Sequence, residues 1–509
     1  MSPVRNKLAM AAAVISSVAL VLTTGSSALA APKNDTKLAK NLVKAVSADK
    51  SNRHLIAFQR FADQTDGNRA AGTEGYDRSA EYIATKLDDE GYDVTRQEFS
   101  FIYDETLAES LTSGGTDYDI IRMSYSPSTP EGGTTAPLAA VPVDDTPGCE
   151  AGDYDGVDVA GKIALISRGA CTFYDKQRFA ADAGAVAAVI YNNIDGPING
   201  TLGQIGQIPT GGVTQADGEA LVAKSGDAAT IEIRGINEER TTYNVIAETQ
   251  TGRKDNVVMA GAHLDGVAAG PGINDNGTGS AALLETALAL GGNPQVNNAV
   301  RFAWWGDEEF GLIGSEYYVE QLSFEQQLDI SMYLNFDMIG SPNAAYFVYD
   351  GDDSDGEGAG QGPVGSAQIE QAFVDYIEDK KDTPTEGTDF SGRSDYGPFI
   401  AVGIPSGGLF TGAEGIKTEE QAAKWGGQAG IAYDPCYHQA CDNLHTVDRV
   451  ALDRNGDALA WVVGTYAIST EEVNGVAPGK KKPKSQVAAE RSSQRMFVQD
   501  AEHGHAQAS

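Results

Sequence analysis

Histidine and sulfur are scarce in this chain, with six histidines and four cysteines among 509 residues. Basic residues are scarce relative to acidic ones, 37 Lys and Arg against 72 Asp and Glu, so the formal net charge is −35. So acidic a surface repels nucleic acid and anionic membranes, and neither is expected as a partner. It suits solubility outside the cell and leaves a preference for cationic substrates open. Past the first thirty residues no segment reaches the ~18 apolar residues of a membrane span. No internal repeat is present. No cysteine couple has the Cys-x-x-Cys spacing of a zinc or redox site.

The amino terminus reads as an export signal. Arg5 and Lys7 precede an apolar stretch from Leu8 to Leu22, and Ala28-Leu29-Ala30 offers small residues where a signal peptidase reads. Residues 1–30 are therefore expected to be removed before Ala31, which takes the charge to −37 and makes the protein secreted. In an exported chain, Cys149/Cys171 and Cys436/Cys441, an even number in two local couples, read as two disulfides.

At this length, two domains and a tail are expected. Residues 37–132 and 236–472 read as one discontinuous α/β domain. Apolar strands such as Asn256 to His263, Ala299 to Trp305 and Met332 to Phe336 alternate there with helical stretches such as Gly279 to Leu290, Glu309 to Gln321 and Gly365 to Asp379. That alternation predicts a mostly parallel central sheet with helices on its two faces. Between 133 and 235, short strand-like runs broken by Gly- and Asp-rich turns read as a small β-rich insertion. The polar tail 473–509, with Lys480-Lys481-Lys482-Pro483-Lys484, lacks the residues to bury a core and is expected to be disordered.

Three strands deliver acid or imidazole at their carboxyl ends, the edge where open α/β sheets build ligand sites. The first yields His263 and Asp265, the second Asp307-Glu308-Glu309, the third Asp337. A glycine-rich loop, Ile273-Asn274-Asp275-Asn276-Gly277-Thr278-Gly279, adds Asp275, and the small ring a Cys436–Cys441 bridge would close adds Tyr437 and His438. Imidazole and carboxylate in one cluster suit zinc, and so many suit a two-metal hydrolase. His54, His445, His503 and His505 have no comparable setting.

Taken in order, His263-Leu264-Asp265, Gly272 to Gly277, Trp305 to Glu309, Asn335-Phe336-Asp337-Met338 and Tyr437-His438 resemble the motif series of the secreted di-zinc aminopeptidases. The insertion is similar to a protease-associated (PA) domain, through Gly161 to Leu165 and Arg168-Gly169 before Cys171-Thr172-Phe173. Together these features resemble the aminopeptidase Y type over roughly residues 37–470. The resemblance implies one zinc on His263 and Asp337, a second on Glu309 and His438, and Asp275 bridging them. It implies a cis peptide between Asp275 and Asn276, Glu308 as general base, Tyr437 as oxyanion donor and Asp265 as the carboxylate that orients His263. Arg393 matches a segment lining the pocket for the free amino end, and a surface arginine would look the same. The expected activity is release of N-terminal residues from peptides and proteins by a monomer.

Asp453 and Asp457 resemble a calcium-binding pair of some secreted relatives; carboxylates one helical turn apart can share a hard cation, or simply be solvated. The acidic run Asp350 to Glu357 misses the spacing of the twelve-residue calcium loop and reads as a flexible loop near the cleft. A carboxypeptidase would want clustered arginines near its cleft, a glutaminyl cyclase has a single zinc, and an inactive scaffold would have lost ligands. None of these fits the five motifs.

Overall fold

The computed structural model describes residues 36–491, apart from 357, 359, 482 and 490. The expected signal peptide and residues 492–509 lie outside the described residues. Among the described residues no helix is long and apolar enough to cross a membrane.

The central sheet is built as the alternation predicts. Strand Arg253–His263 lies between Asn298–Trp305 and Ile330–Phe336, parallel to both, and Ser406–Phe410 continues the parallel order beyond Ile330–Phe336. These strands read as apolar runs because helices cover them on both sides. Val258, Ala260, Phe302, Trp304 and Leu334 belong to the main core, while Met259, Trp305 and Tyr333 belong to a second one with Phe399. Tyr333 and Phe399 stack with ring centres 3.9 Å apart. The fold is mixed α/β with a large sheet flanked by helices.

A long strand runs from Asp93 to Ser113. It pairs antiparallel with Ala228–Glu248 along its whole length, from Asp93↔Glu248 to Ser113↔Ala229, with one bulge between Thr106 and Ala108. One end of this ribbon joins the central sheet at Asn298–Trp305, and the other pairs with Thr134–Ala140 of the inserted module. The module's core draws on Leu111, Tyr118 and Ile120 as well as Leu138, Ile163 and Val189. The module is pinned by the Cys149–Cys171 disulfide.

The tail departs from its expected disorder over its described part. Val473 and Val476 are buried, Lys484 pairs with Asp329 at 2.9 Å, and the buried Arg491 donates to the carbonyls of Gln327 and Ile330. The described tail residues, among them Val473, Val476, Pro483 and Arg491, thus pack on the amino ends of the parallel strands around a cavity of about 450 Å³. Two valines and paired cations supply the burial that the lysine run concealed.

Candidate metal centre

The carboxyl ends of three neighbouring strands bring the predicted residues together. His263 ends its strand, and its Nδ1 lies 3.1 Å from the main-chain carbonyl of Asp265. A bond there fixes the ring and leaves Nε2 facing the cluster. The Asp265 carboxylate stands farther off, at 3.7 Å. It instead accepts the amide N–H groups of Glu308 at 3.2 Å and Glu309 at 3.3 Å, one on each oxygen. Asp265 therefore orients His263 through its backbone, while its carboxylate holds the Glu308-Glu309 turn.

That turn is tight. Asp307 adopts φ +64° and Leu312 φ +62°, so the helix expected from Glu309 starts only at Ile313. Phe310, next to Glu309, packs on Phe101 and Tyr103 of the long ribbon, with centroids 6.2 and 5.9 Å away.

Asp275 sits in a buried turn, Ile273–Thr278, with a cis Asp275–Asn276 peptide. Asn276 ties this turn to the strand bearing Asp337: its Nδ2 donates to Phe336 O at 2.9 Å and its Oδ1 accepts Met338 N–H at 3.1 Å. Gly279 must be glycine, since a Cβ there would lie 2.2 Å from Phe336 O. On the other side, the buried Asp442 accepts the N–H groups of Asn274 at 2.7 Å and Asp275 at 3.0 Å, and Asp434 accepts Asn274 Nδ2 at 2.6 Å. Asp434 and Asp442 flank the ring closed by the Cys436–Cys441 disulfide, which presents Tyr437 and His438. The cysteine ring and the Asp275 turn are thereby stapled to each other.

The two oxygens of Asp275 face different histidines. Oδ1 is 3.3 Å from His263 Nε2, and Oδ2 is 3.2 Å from His438 Nε2. His263 Nε2 is also 3.2 Å from Asp337 Oδ1, and His438 Nε2 is 2.9 Å from Glu309 Oε2. Ligand atoms of His263, Asp275 and Glu309 lie within 4.8 Å of one another, and so do those of His263, Glu308 and Asp337. Asp337 is steadied by Ser394, whose hydroxyl donates to Oδ2 at 2.7 Å and accepts Asn335 Nδ2 at 2.8 Å.

So much buried charge shifts the groups. Burial pushes the Glu309 carboxyl up to about 7, aided by the Asp275 charge. Burial raises Glu308 well above the usual carboxylate range, with Asp395, Asp337 and Glu309 adding to it against the opposing pull of His263. His438 is pulled down by burial but carried up to about 10 by its bonds to Asp275 and Glu309. The cluster is short of positive charge, and Glu309 Oε1 is buried with no hydrogen-bond partner. Two imidazoles and three carboxylates in this arrangement are a donor set that fits zinc.

The cluster opens onto a cavity of about 90 Å³ lined by Glu308, Tyr437 and His438 and by the apolar Met338, Tyr349 and Phe410. Tyr437 stacks on His438 at 3.8 Å between ring centres. Arg393 is at this cavity, largely exposed; it pairs with Glu414 at 2.8 Å and donates to the Tyr437 hydroxyl at 3.3 Å.

The expected calcium pair is engaged otherwise. Asp453 accepts the Ala48 N–H at 3.0 Å, and Asp457 pairs with Lys381. Asp350, at the head of the acidic run, is buried and caps the N–H groups of Asp352, Ser354 and Asp355, an ordered turn where a flexible loop was expected. Ser394, Asp434, Asp442 and Asn276 were missed as structural partners of the site. Asp434 and Asp442 carried a signal, an acid on either side of a cysteine ring.

Residues 244–463 match the model of peptidase family M28, and residues 134–221 match the PA domain. The probable lipoprotein aminopeptidase LpqL of Mycobacterium tuberculosis is 48% identical over 437 residues, covering 85% of this chain and 87% of the relative. The probable leucine aminopeptidase 2 of Aspergillus fumigatus is 48% identical over 416 residues, 80% of each chain. The structure of BSAP, a zinc aminopeptidase from Bacillus subtilis, matches with a TM-score of 0.59 and 28% identity, over 84% of this chain and 97% of that one. The chain belongs to peptidase family M28, with a PA domain set within it, which bears out the aminopeptidase-family resemblance of its motifs.

Proposed function

We propose that this chain is a secreted metallo-aminopeptidase that binds two zinc ions and hydrolyses the N-terminal peptide bond of peptides and proteins. The observation that carries the reading is Asp275, whose two carboxylate oxygens face His263 and His438 separately. One ion would be held by His263 and Asp337, the other by His438 and Glu309, with Asp275 shared. The Bacillus subtilis neighbour is a zinc aminopeptidase, which agrees with that donor set. Export agrees with two disulfides and the amino-terminal signal pattern.

Zinc at these positions would supply Lewis-acid polarisation of the scissile carbonyl and a water acidified toward neutral pH. Glu308 is the general base: it takes the proton of the attacking water and returns it to the departing amine. Its carboxylate groups with His263 and Asp337, whereas that of Glu309 faces His438, a division that supports one ligand and one base from adjacent residues. The Tyr437 hydroxyl donates to the oxyanion that forms at the carbonyl, with Arg393 donating to the same hydroxyl. Met338, Tyr349 and Phe410 give the side chain of the first residue an apolar surface.

The test is leucyl p-nitroanilide with its amino group free or acetylated, each with and without a chelator. Cleavage of the free form alone, abolished by chelation and restored by zinc, is expected. Equal cleavage of both forms would remove the aminopeptidase assignment.

A further inference from the structure

Arg69, between the helices Ala48–Asp63 and Glu74–Asp89, is fully buried against the loop that joins His263 to Asp275. Its Nε donates to Pro271 O at 2.8 Å, and its two terminal nitrogens donate to the carbonyls of Leu264 and Gly272. Leu264 directly follows His263, and Gly272 stands three residues before Asp275. One planar side chain thus holds both ends of the loop between two ligands of the site. The fit is close: Gly272 takes φ +61°, and a Cβ there would lie 3.3 Å from the Arg69 terminal nitrogen and 2.6 Å from Asp275 O. The guanidinium carbon lies 5.1 Å from the centre of the Phe58 ring, which supports its face.

Its electrical surroundings are equally specific. Charged groups near the guanidinium include Asp442, Asp265, Asp275 and Glu309, all of them parts of the centre or its supports. The other buried basic side chains among the described residues bond elsewhere: Arg122 to Asp104, Lys176 to Pro147, Lys417 to Ala344 and Arg491 to Gln327. Lysine would not replace this residue, because one ammonium does not reproduce a rigid fork aimed at three carbonyls.

We propose that Arg69 is a positioning residue of the metal centre, setting the spacing of His263 and Asp275 and placing one permanent positive charge behind the acid cluster. This rests on the two-zinc reading above. Removing a group that supports the ligands typically costs about 10–100-fold in metal affinity.

The experiment measures zinc affinity of the metal-free chain by competition with a chromogenic chelator, for wild type, Arg69→Lys and Arg69→Met, with circular dichroism on each. Arg69→Met is expected to keep the wild-type spectrum and bind zinc about 10–100-fold more weakly. Arg69→Lys, which keeps charge and length, is expected to fall between the two and remains the readout should the methionine variant not fold. At saturating zinc the kcat should fall with KM little changed, the mark of misplaced ligands rather than a damaged pocket. Wild-type zinc affinity in Arg69→Met, or in Arg69→Lys where only that variant folds, would overturn the proposal. A wild-type chain that binds no zinc would overturn the two-zinc reading itself.

Discussion

Replacing Asp265 by asparagine separates the role its carboxylate has here from the one its motif suggests. The carboxylate accepts two amide N–H groups, from Glu308 and Glu309, and is fully buried. Asparagine keeps one acceptor and turns its NH₂ toward the other amide, so one charge-assisted bond is lost and two donors confront each other. A hydrogen bond to a charged group contributes about 1.5–3 kcal/mol, and the stranded amide adds about 1–3 kcal/mol. Together these predict a loss of roughly 2.5–6 kcal/mol, part of it in stability and part in the placement of Glu308 and Glu309. His263 keeps its main-chain partner in this variant. The expectation is therefore a kcat lowered at least tenfold, with zinc weakened mainly on the Glu309 side. Urea unfolding, stopped-time assays with leucyl p-nitroanilide and zinc analysis after dialysis measure the three parts. Unchanged kcat and stability, or loss of zinc confined to the His263 side, would refute this reasoning.

Three further outcomes are expected. Glu308→Gln should keep both zinc ions and the fold but lose about 10²–10⁴ in kcat, as removal of a general base does; normal turnover would exclude that role. Tyr437→Phe should lower kcat by about 10²–10³ with KM little changed, since its hydroxyl is assigned to the oxyanion alone. Burial pulls the Lys176 ammonium from 10.5 to about 8, with Asp153 and Asp144 opposing in part. The unfolded chain then holds the proton that the folded chain has released, so stability should rise between pH 8 and 10.5, by up to roughly 3 kcal/mol. Urea midpoints of wild type and Lys176→Met, compared at pH 7 and pH 10, would show this rise in wild type only; parallel curves would contradict it.

Of the proposed ligands, His263, Glu309 and Asp337 were legible because each closes or follows an apolar strand, where a change from valine and alanine to histidine or acid stands out, and Asp275 and His438 because a glycine-rich loop and a cysteine couple mark them. The sheet was legible for the same reason. Arg69 was not, because its partners are 195 to 203 positions away and nothing in Asn68-Arg69-Ala70 differs from a surface loop. Ser394 likewise acts across 57 positions, on Asp337. The role of Asp265 was half legible, since a motif names a carboxylate near a histidine but not which of its oxygens faces what. The packed tail was hidden by composition, for Val473 and Val476 are too few to form a period.

Zinc counting in three proteins tests the shared role of Asp275 most directly. After dialysis, the wild-type chain should retain two zinc ions, His438→Ala one, and Asp275→Ala fewer than one, because that change removes an oxygen from each position. Two ions retained by Asp275→Ala, or a single ion in the wild-type chain that His438→Ala leaves in place, would contradict it.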